Sequence, residues 1–495
     1  MAIDTQHPEY VAMAETWRTV TEICDGKDVL HYIQMLNPLD RSQQNRTLND
    51  TYRNRAVFLE IAGYSSRGMV GLLFKKPPAL KIPPALEYIE DNIDGNSVSL
   101  YQQAQTVAKH VVRNGRAGLW VDFPNVSGAL SLADMDDGRI IATVEPFTTS
   151  QIINWAVKQD GAKTKLSLVV LRDSQYQLGA DYAMEQVSVI LELFLDDADT
   201  YTVRKWQQIG MTGWQVVDEY QPRDASGNLW REIPFQFCGA ESNTHLIDNP
   251  PMLGIVRQNI GHYNNSATYE NSVHYCGQPQ PYMSGLSMTQ AQEMQAAGFY
   301  WGAGVLLPVP EGGTVGIVQA GPNVMAREAM LDKVAAAIGM GAMFIQPGSA
   351  VKTATQAAGE MQVQHSVLSL IAANIGEAYE QCLAWMARYM GTEDSAEFQL
   401  STDFVDPQAT AQDLQAVVAS WTQGALPFSD LWTWAQKTGF ADPEKTAEEA
   451  QEEIGAATSQ MPDLEAEEPA RVADDEDQAK AEEDKAKAEA EAEAE

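Results

Sequence analysis

The spacing of apolar residues divides the chain into stretches of helical and of strand character. Residues 8 to 74 read as mainly helical, with a polar break around Asn37 and Pro38. A second long helix is expected through Tyr52, Phe58, Ile61 and Met69, stopping at Lys75-Lys76-Pro77-Pro78, where proline forbids continuation. Leu100, Ala104, Val107, Ala108 and Val111 fall on one helical face, and Asn114-Gly115 supplies a left-handed stop. A strand from Ala117 to Phe123 follows. Between residues 139 and 237 the texture changes to short runs rich in Val, Ile, Leu, Thr and Tyr, such as 165–172, 187–195 and 201–207, separated by Asp/Gly turns. That pattern predicts a β-rich module.

Helix signals return at Asp248-Asn249-Pro250-Pro251, and no strong breaker follows until Gly277. The helix expected there is roughly 40 Å long at the usual rise per residue. Gln258, Asn259, Asn264, Asn265, Ser266 and Asn271 sit on it among Leu253, Val256, Ile260, Tyr263 and Val273, with few charges. Such a surface suits packing between neighbours of its own kind better than standing alone in water. Residues 277–321 read as a compact insert: a short helix around Thr289 to Ala297, then a hairpin of Val305–Val309 with Thr314–Gln319 turned by Pro310-Glu311-Gly312-Gly313. A second helix from Pro322-Asn323 to about Phe344, interrupted by Gly339 and Gly341, completes an out-and-back excursion. After the loop Gln346 to Lys352, Thr353-Ala354-Thr355-Gln356 has capping-box spacing. Apolar residues at 357, 361, 368, 371, 375, 378, 382 and 386 then predict one helix ending at Gly391, roughly 55 Å long. Short helices are expected at 408–423, 428–438 and 443–454, and an Ala/Glu/Asp/Lys segment from about 456 reads as solvated and mostly disordered.

Charge narrows the functional classes. The chain has 495 residues, 44% of them hydrophobic, with 33 basic against 68 acidic side chains and a formal charge of -35. Residues 463–495 hold an excess of eleven acids, so residues 1–462 still carry -24. This argues against gripping nucleic acid or an anionic membrane by counterion release; DNA that meets such a surface is passed along, not held. The N-terminus lacks the basic and apolar runs of an export signal, so a cytoplasmic chain is expected. The apolar part of 334–351 is too short to span a bilayer.

Chemistry-bearing motifs are sparse. Cys24, Cys238, Cys276 and Cys382 are scattered without a CxxC pair, and read as reduced core residues. No glycine loop followed by Lys-Ser/Thr, no HExxH and no GxSxG occurs, so no enzyme activity, metal or cofactor is expected. Asp134 to Gly138 lacks the closing glutamate of a calcium loop and reads as a turn. His262 and His274 suit interhelix packing better than metal binding. Trp421, Trp432 and Trp434, without accompanying cations, read as core anchors of the C-terminal helices.

The stretches Tyr52-Arg53-Asn54-Arg55-Ala56, Met69 to Pro78, Gly277-Gln278-Pro279-Gln280-Pro281, Thr353 to Ala357 and Trp421 to Ser429, in this order among the modules above, resemble the portal proteins of tailed bacteriophages over roughly residues 40 to 455. The resemblance implies an α+β, predominantly helical portal-type fold. Residues 1–249 would form an N-terminal helical region and β-rich wing, 250–276 and 322–345 two stem helices, and 277–321 a small α/β clip. Residues 346–352 would form a tunnel loop, 353–391 a long kinked helix, 392–455 a helical crown and 456–495 the acidic tail. It implies a ring of about twelve copies at a capsid vertex of the virion, passing double-stranded DNA during packaging and ejection. The implied partners are the major capsid protein, the large terminase subunit and head-completion or adaptor proteins, with no membrane.

Within that frame Gln346, Pro347, Gly348, Ser349 and Lys352 would face the DNA channel. Lys352 is the candidate for touching phosphate, against the plainer reading of a solvated lysine. Pro310, Glu311, Gly312 and Gly313 would face terminase or adaptor, and Asn259, Tyr263, Asn264 and Tyr269 would pack the stem. The competing readings are another virion or scaffold assembly protein that conducts no DNA, and an enzyme whose site is assembled from residues distant in sequence.

Overall fold

The computed structural model describes residues 2–123, 140–178, 182–208, 213–277, 280–298, 309, 311–318, 324–345, 366–392, 396–402, 404, 411–422, 425–437, 441–442 and 445–459. The chain divides into two compact units, Met1–Phe404 and Val405–Glu495.

The first unit begins with α1 (Pro8–Asp25), capped by the His7 ring and closed by Gly26 in the left-handed region. Then come α2 (Gln43–Arg55), α3 (Ile61–Leu73), β1 (Ala79–Lys81) and α4 (Leu100–Asn114). The Ser99 side chain accepts from Gln102 N at the start of α4, and the predicted face of Leu100, Ala104, Val107, Ala108 and Val111 is fully buried. The strands β2 (Arg116–Asp122) and β3 (Thr143–Thr148) precede a meander of β4 (Ile152–Asp160), β5 (Lys163–Leu178), β6 (Met184–Leu195), β7 (Tyr201–Gln208) and β8 (Trp214–Tyr220). These five pair antiparallel in sequence order, which is the β-rich module expected from 139 to 237. The chain continues through β9 (Phe235–Gly239), α5 (Leu253–Cys276), β10 (Gln280–Ser284), α6 (Met288–Ala297), β11 (Thr314–Val318), α7 (Val324–Ile345), α8 (Val367–Met390) and β12 (Glu397–Gln399). The fold is a mixed α+β one.

Its core lies where α4 and α8 cover a three-stranded antiparallel sheet of order β3-β2-β9. Strand β2 is central and buried from Arg116 through Val121, and Ala117–Val121 is a continuous apolar run. Helix α8 buries Leu368, Ile371, Ile375, Ala378, Cys382 and Met386, the predicted stripe. Buried polar side chains link its layers: Tyr379 OH donates to Gln103 Oε1 at 3.1 Å, and Gln103 Nε2 donates to Val144 O at 2.7 Å, joining α8, α4 and β3. Arg113, buried on α4, ties α1 and α3 through Asp25 at 2.6 Å and Ser66 at 2.9 Å. Cys24, Cys238 and Cys382 are buried free thiols, as expected of small core residues, and Cys276 is half-buried.

Four expectations need correction. The helix drawn through Tyr52, Phe58, Ile61 and Met69 is two helices, because Ala56–Glu60 runs extended as a strap whose backbone finds side-chain partners on α5. The single helix expected up to Gly391 is broken at Ser366, the N-cap of α8, whose hydroxyl accepts from Ser369 N; α8 is about 36 Å long, and residues 353–365 lie outside the described residues. Strand β11 pairs with β10, from Gln280↔Val318 to Ser284↔Thr314, and Val309 is not in a strand. Gly339 and Gly341 do not interrupt α7.

The second unit contains α9 (Ala411–Thr422), α10 (Phe428–Lys437) and α11 (Ala447–Ser459). Phe428 stacks on Trp432 and lies against Trp421, and Trp432 Nε1 donates to Lys445 O, so these tryptophans anchor the helices to one another. The last helix starts later than expected because Thr446 and Glu449 form a reciprocal cap. The acidic segment 460–495 lies outside the described residues. No helix among the described residues is long and apolar enough to cross a membrane.

Candidate functional site

The excursion formed by α5, the insert and α7 is the candidate interaction element. Its two helices run antiparallel. A Cβ at Gly254 would lie 3.2 Å from Met340 Sδ, and one at Gly261 would lie 2.7 Å from Lys333 Cε. Seven residues forward on α5 correspond to seven backward on α7, and glycine at both points lets the axes approach. Ala337 fills the space between, fully buried.

A second face of α5 carries the polar residues singled out in the sequence, and their partners are in the same chain. Asn259, fully buried, accepts from Ala62 N at 2.9 Å and donates to Leu59 O at 2.8 Å. Ser266 Oγ accepts from Val57 N and donates to Val57 O, both at 2.8 Å. Asn264 accepts from Gln34 N and donates to Tyr32 O. Asn271 accepts from Arg55 at 2.7 Å, and the Tyr52 and Thr268 hydroxyls are 2.9 Å apart. Tyr263 packs edge-on against Phe58 beside Ile33, Tyr52 and Ala267.

These side chains act as surrogate sheet neighbours, completing the hydrogen bonds of two non-helical segments. Asn259, Tyr263 and Asn264, expected to pack the stem, make these contacts with the strap and the segment before α2 of the same chain. Tyr269 is half-buried on the same helix. The signal that could have revealed this was positional: Asn259, Tyr263, Ser266 and Ala267 share one helical face, so its polar groups were due for burial with partners.

The uncovered surface belongs instead to α7. Val324, Leu331 and Ile338 repeat every seven residues and are 51%, 59% and 67% exposed, and Met343 is exposed further along the helix. No charged side chain occurs from Val334 to Phe344. The exposed Ile317 and Val318 of β11, and Val273 and Tyr275 at the end of α5, add to the apolar surface of the excursion.

In the insert, β10 and β11 form a two-stranded sheet, and Glu311 and Gly312 occupy the turn before β11, Gly312 at a φ of 77°. Gly313 follows immediately, while Pro310 lies outside the described residues. So do Gln346, Pro347, Gly348, Ser349 and Lys352, the proposed channel loop.

His262 is buried beside Lys333, and its pKa is lowered, first by burial and then by that ammonium. His274 is exposed. Among the described residues no group of three or more potential ligands could hold a metal ion.

A family model described as "Domain of unknown function (DUF4055)" matches residues 251–390, the span from α5 to α8. No curated protein matches the chain. Among solved structures, the chain is similar to one in "Virion of native gene transfer agent (GTA) particle", at 13% identity and a TM-score of 0.38, over 80% of this chain and 94% of that one. It is also similar to chains in "Neck of native GTA particle computed with C12 symmetry" and "Neck of empty GTA particle computed with C6 symmetry". Each is 14% identical with a TM-score of 0.36, over 77% of this chain and 90% of that one.

Proposed function

We propose that this chain is a structural subunit of a tailed-phage-type particle, specifically a portal subunit that repeats around an axis to line a passage for double-stranded DNA. The observation that carries the reading is the uncovered face of α7, with Val324, Leu331 and Ile338 exposed and no charge from Val334 to Phe344, on a helical hairpin that brackets a small α/β insert. An apolar face of that size is costly in water, and repetition around a ring covers it. The excess of acidic residues fits a passage that repels phosphate instead of trapping it. In this reading the turn at Glu311–Gly313 meets the packaging motor or adaptors, the body meets the capsid shell, and Lys352 reaches the duplex. The chain carries no catalysis of its own.

Electron microscopy of the purified chain tests the reading. Closed rings of about twelve subunits with a central hole are expected, and a strictly monomeric protein at high concentration is the opposing result. Deleting residues 346–352 separates a DNA conduit from a scaffold that conducts none. The conduit still forms rings but packages or retains DNA poorly, whereas the scaffold is indifferent to the deletion.

A further inference from the structure

A cavity of about 500 Å³ lies between the β2–β3 layer and the meander, and carboxylates converge on it from both sides. Asp122 of β2 and Glu145 of β3 face it from the layer, Asp173 of β5 and Asp218 of β8 from the meander, and Asp94 from the loop ahead of α4. Among the described residues Lys205 of β7 is the only cationic side chain on the lining, and its ammonium donates to Gln175 Oε1 at 3.1 Å. Two hydrogen bonds span the gap: Tyr220 OH to Asp122 Oδ1 at 3.1 Å, and Trp120 Nε1 to Tyr201 OH at 2.9 Å.

Fully ionised, the carboxylates would outnumber the cation five to one in a partly enclosed space. Burial first, then the charges of Asp122, Asp173 and Asp94, push the Glu145 carboxyl up to about 7, against the pull of Lys205. Burial pushes Asp122 up to about 6, against hydrogen bonds from the Phe123 N–H and the Tyr220 hydroxyl.

We propose that this cavity is a proton-coupled joint between the meander and the layer beneath it, held closed while Asp122 and Glu145 carry protons and loosened as they ionise. Both carboxyls bind protons more tightly in the fold than at their ordinary values of 3.8 and 4.5. The contribution of the joint is therefore fully present at acid pH, declines as pH rises from about 4 to about 7, and stays low above that. The joint is independent of the ring reading, and neither result below bears on that reading.

Hydrogen exchange of the full-length chain, read on peptides from residues 201–220 by mass spectrometry, tests it. Wild type and Asp122→Asn/Glu145→Gln are compared at the same pH, so that intrinsic exchange rates cancel. At pH 8 the variant is expected to exchange about tenfold more slowly than wild type, and at pH 5 equally, one pKa unit corresponding to about a factor of ten. Glu145→Gln alone, which leaves the Asp122–Tyr220 bond in place, shows a smaller change in the same direction, and decides the matter should the double variant not fold. Glu219→Gln is the control: Glu219 is on the opposite side of β8, paired with Arg204 at 2.8 Å, and should give no difference that changes between the two pH values. Equal exchange of wild type and variant at both pH values, or any difference that stays the same at pH 5 and pH 8, overturns the joint.

Discussion

At the scale of single residues, Asn259 shows how one amide can set a backbone path. It is fully buried and holds both Leu59 O and Ala62 N, the groups on either side of the turn into α3. Removing it leaves an acceptor and a donor stranded without water, at about 1–3 kcal/mol each. Asn259→Ala is therefore expected to lower stability by about 2–6 kcal/mol in urea denaturation. Asn264→Ala, at a more accessible site with equivalent bonds, should cost distinctly less. Equal losses for the two would mean that burial is not what makes Asn259 matter. The residue types at these positions were plain in the sequence, but their partners were not, because a side-chain amide satisfies an adjacent copy or a distant strap equally well. Asp122 and Glu145 were missed for a related reason. An acid in or beside an apolar strand has no local partner pattern, and only the approach of two sheets and the loop ahead of α4 brings five acids onto one cavity.

At the scale of elements, whatever carried its own start and stop was legible: α4 with Ser99 and Gly115, the α5–α7 excursion, and the stripe of α8 ending at Gly391. Elements whose limits depend on tertiary partners were not. The strap between α2 and α3 exists because α5 satisfies its backbone, and β10 was overlooked because its partner lies more than thirty residues on. The apolar run of α7 was visible, but which face would remain uncovered was not, since that depends on where Gly254 and Gly261 let the helices meet. Leu331→Glu with Ile338→Glu tests that face. Both sites are exposed within the chain, so far-UV circular dichroism and the melting temperature should stay close to wild type, a change within about 0.5 kcal/mol per site. Sedimentation should show loss of self-association. A variant that assembles like the wild type would assign assembly to another surface.

At the scale of the whole molecule, charge governs the encounter with nucleic acid. A formal charge of -35 leaves few cations to displace condensed counterions from a duplex. In a filter-binding assay at about 150 mM salt, linear duplex DNA should not be retained even at about 100 μM chain, the weak end of the usual range of non-specific binders. Retention that falls steeply with added salt would reveal a basic track that the overall charge conceals. The α+β class, the β-rich module and the excursion were all legible at this scale, because each rests on patterns tens of residues long. The layering of meander over core sheet was not, since it depends on pairings such as β2 with β9 that join segments more than a hundred residues apart.

The strap has one more consequence, for the order in which the molecule is made. Its partners on α5 are 200 to 209 residues further along the chain. At ribosomal speeds of about 5–20 residues per second, the segment waits about 10–40 s before the helix that fastens it has emerged. During that interval Val57, Phe58 and Leu59 have nothing to hold them, so nascent chains halted before residue 250 should be the most vulnerable to proteases and to one another, and the amino end is among the last parts to be secured.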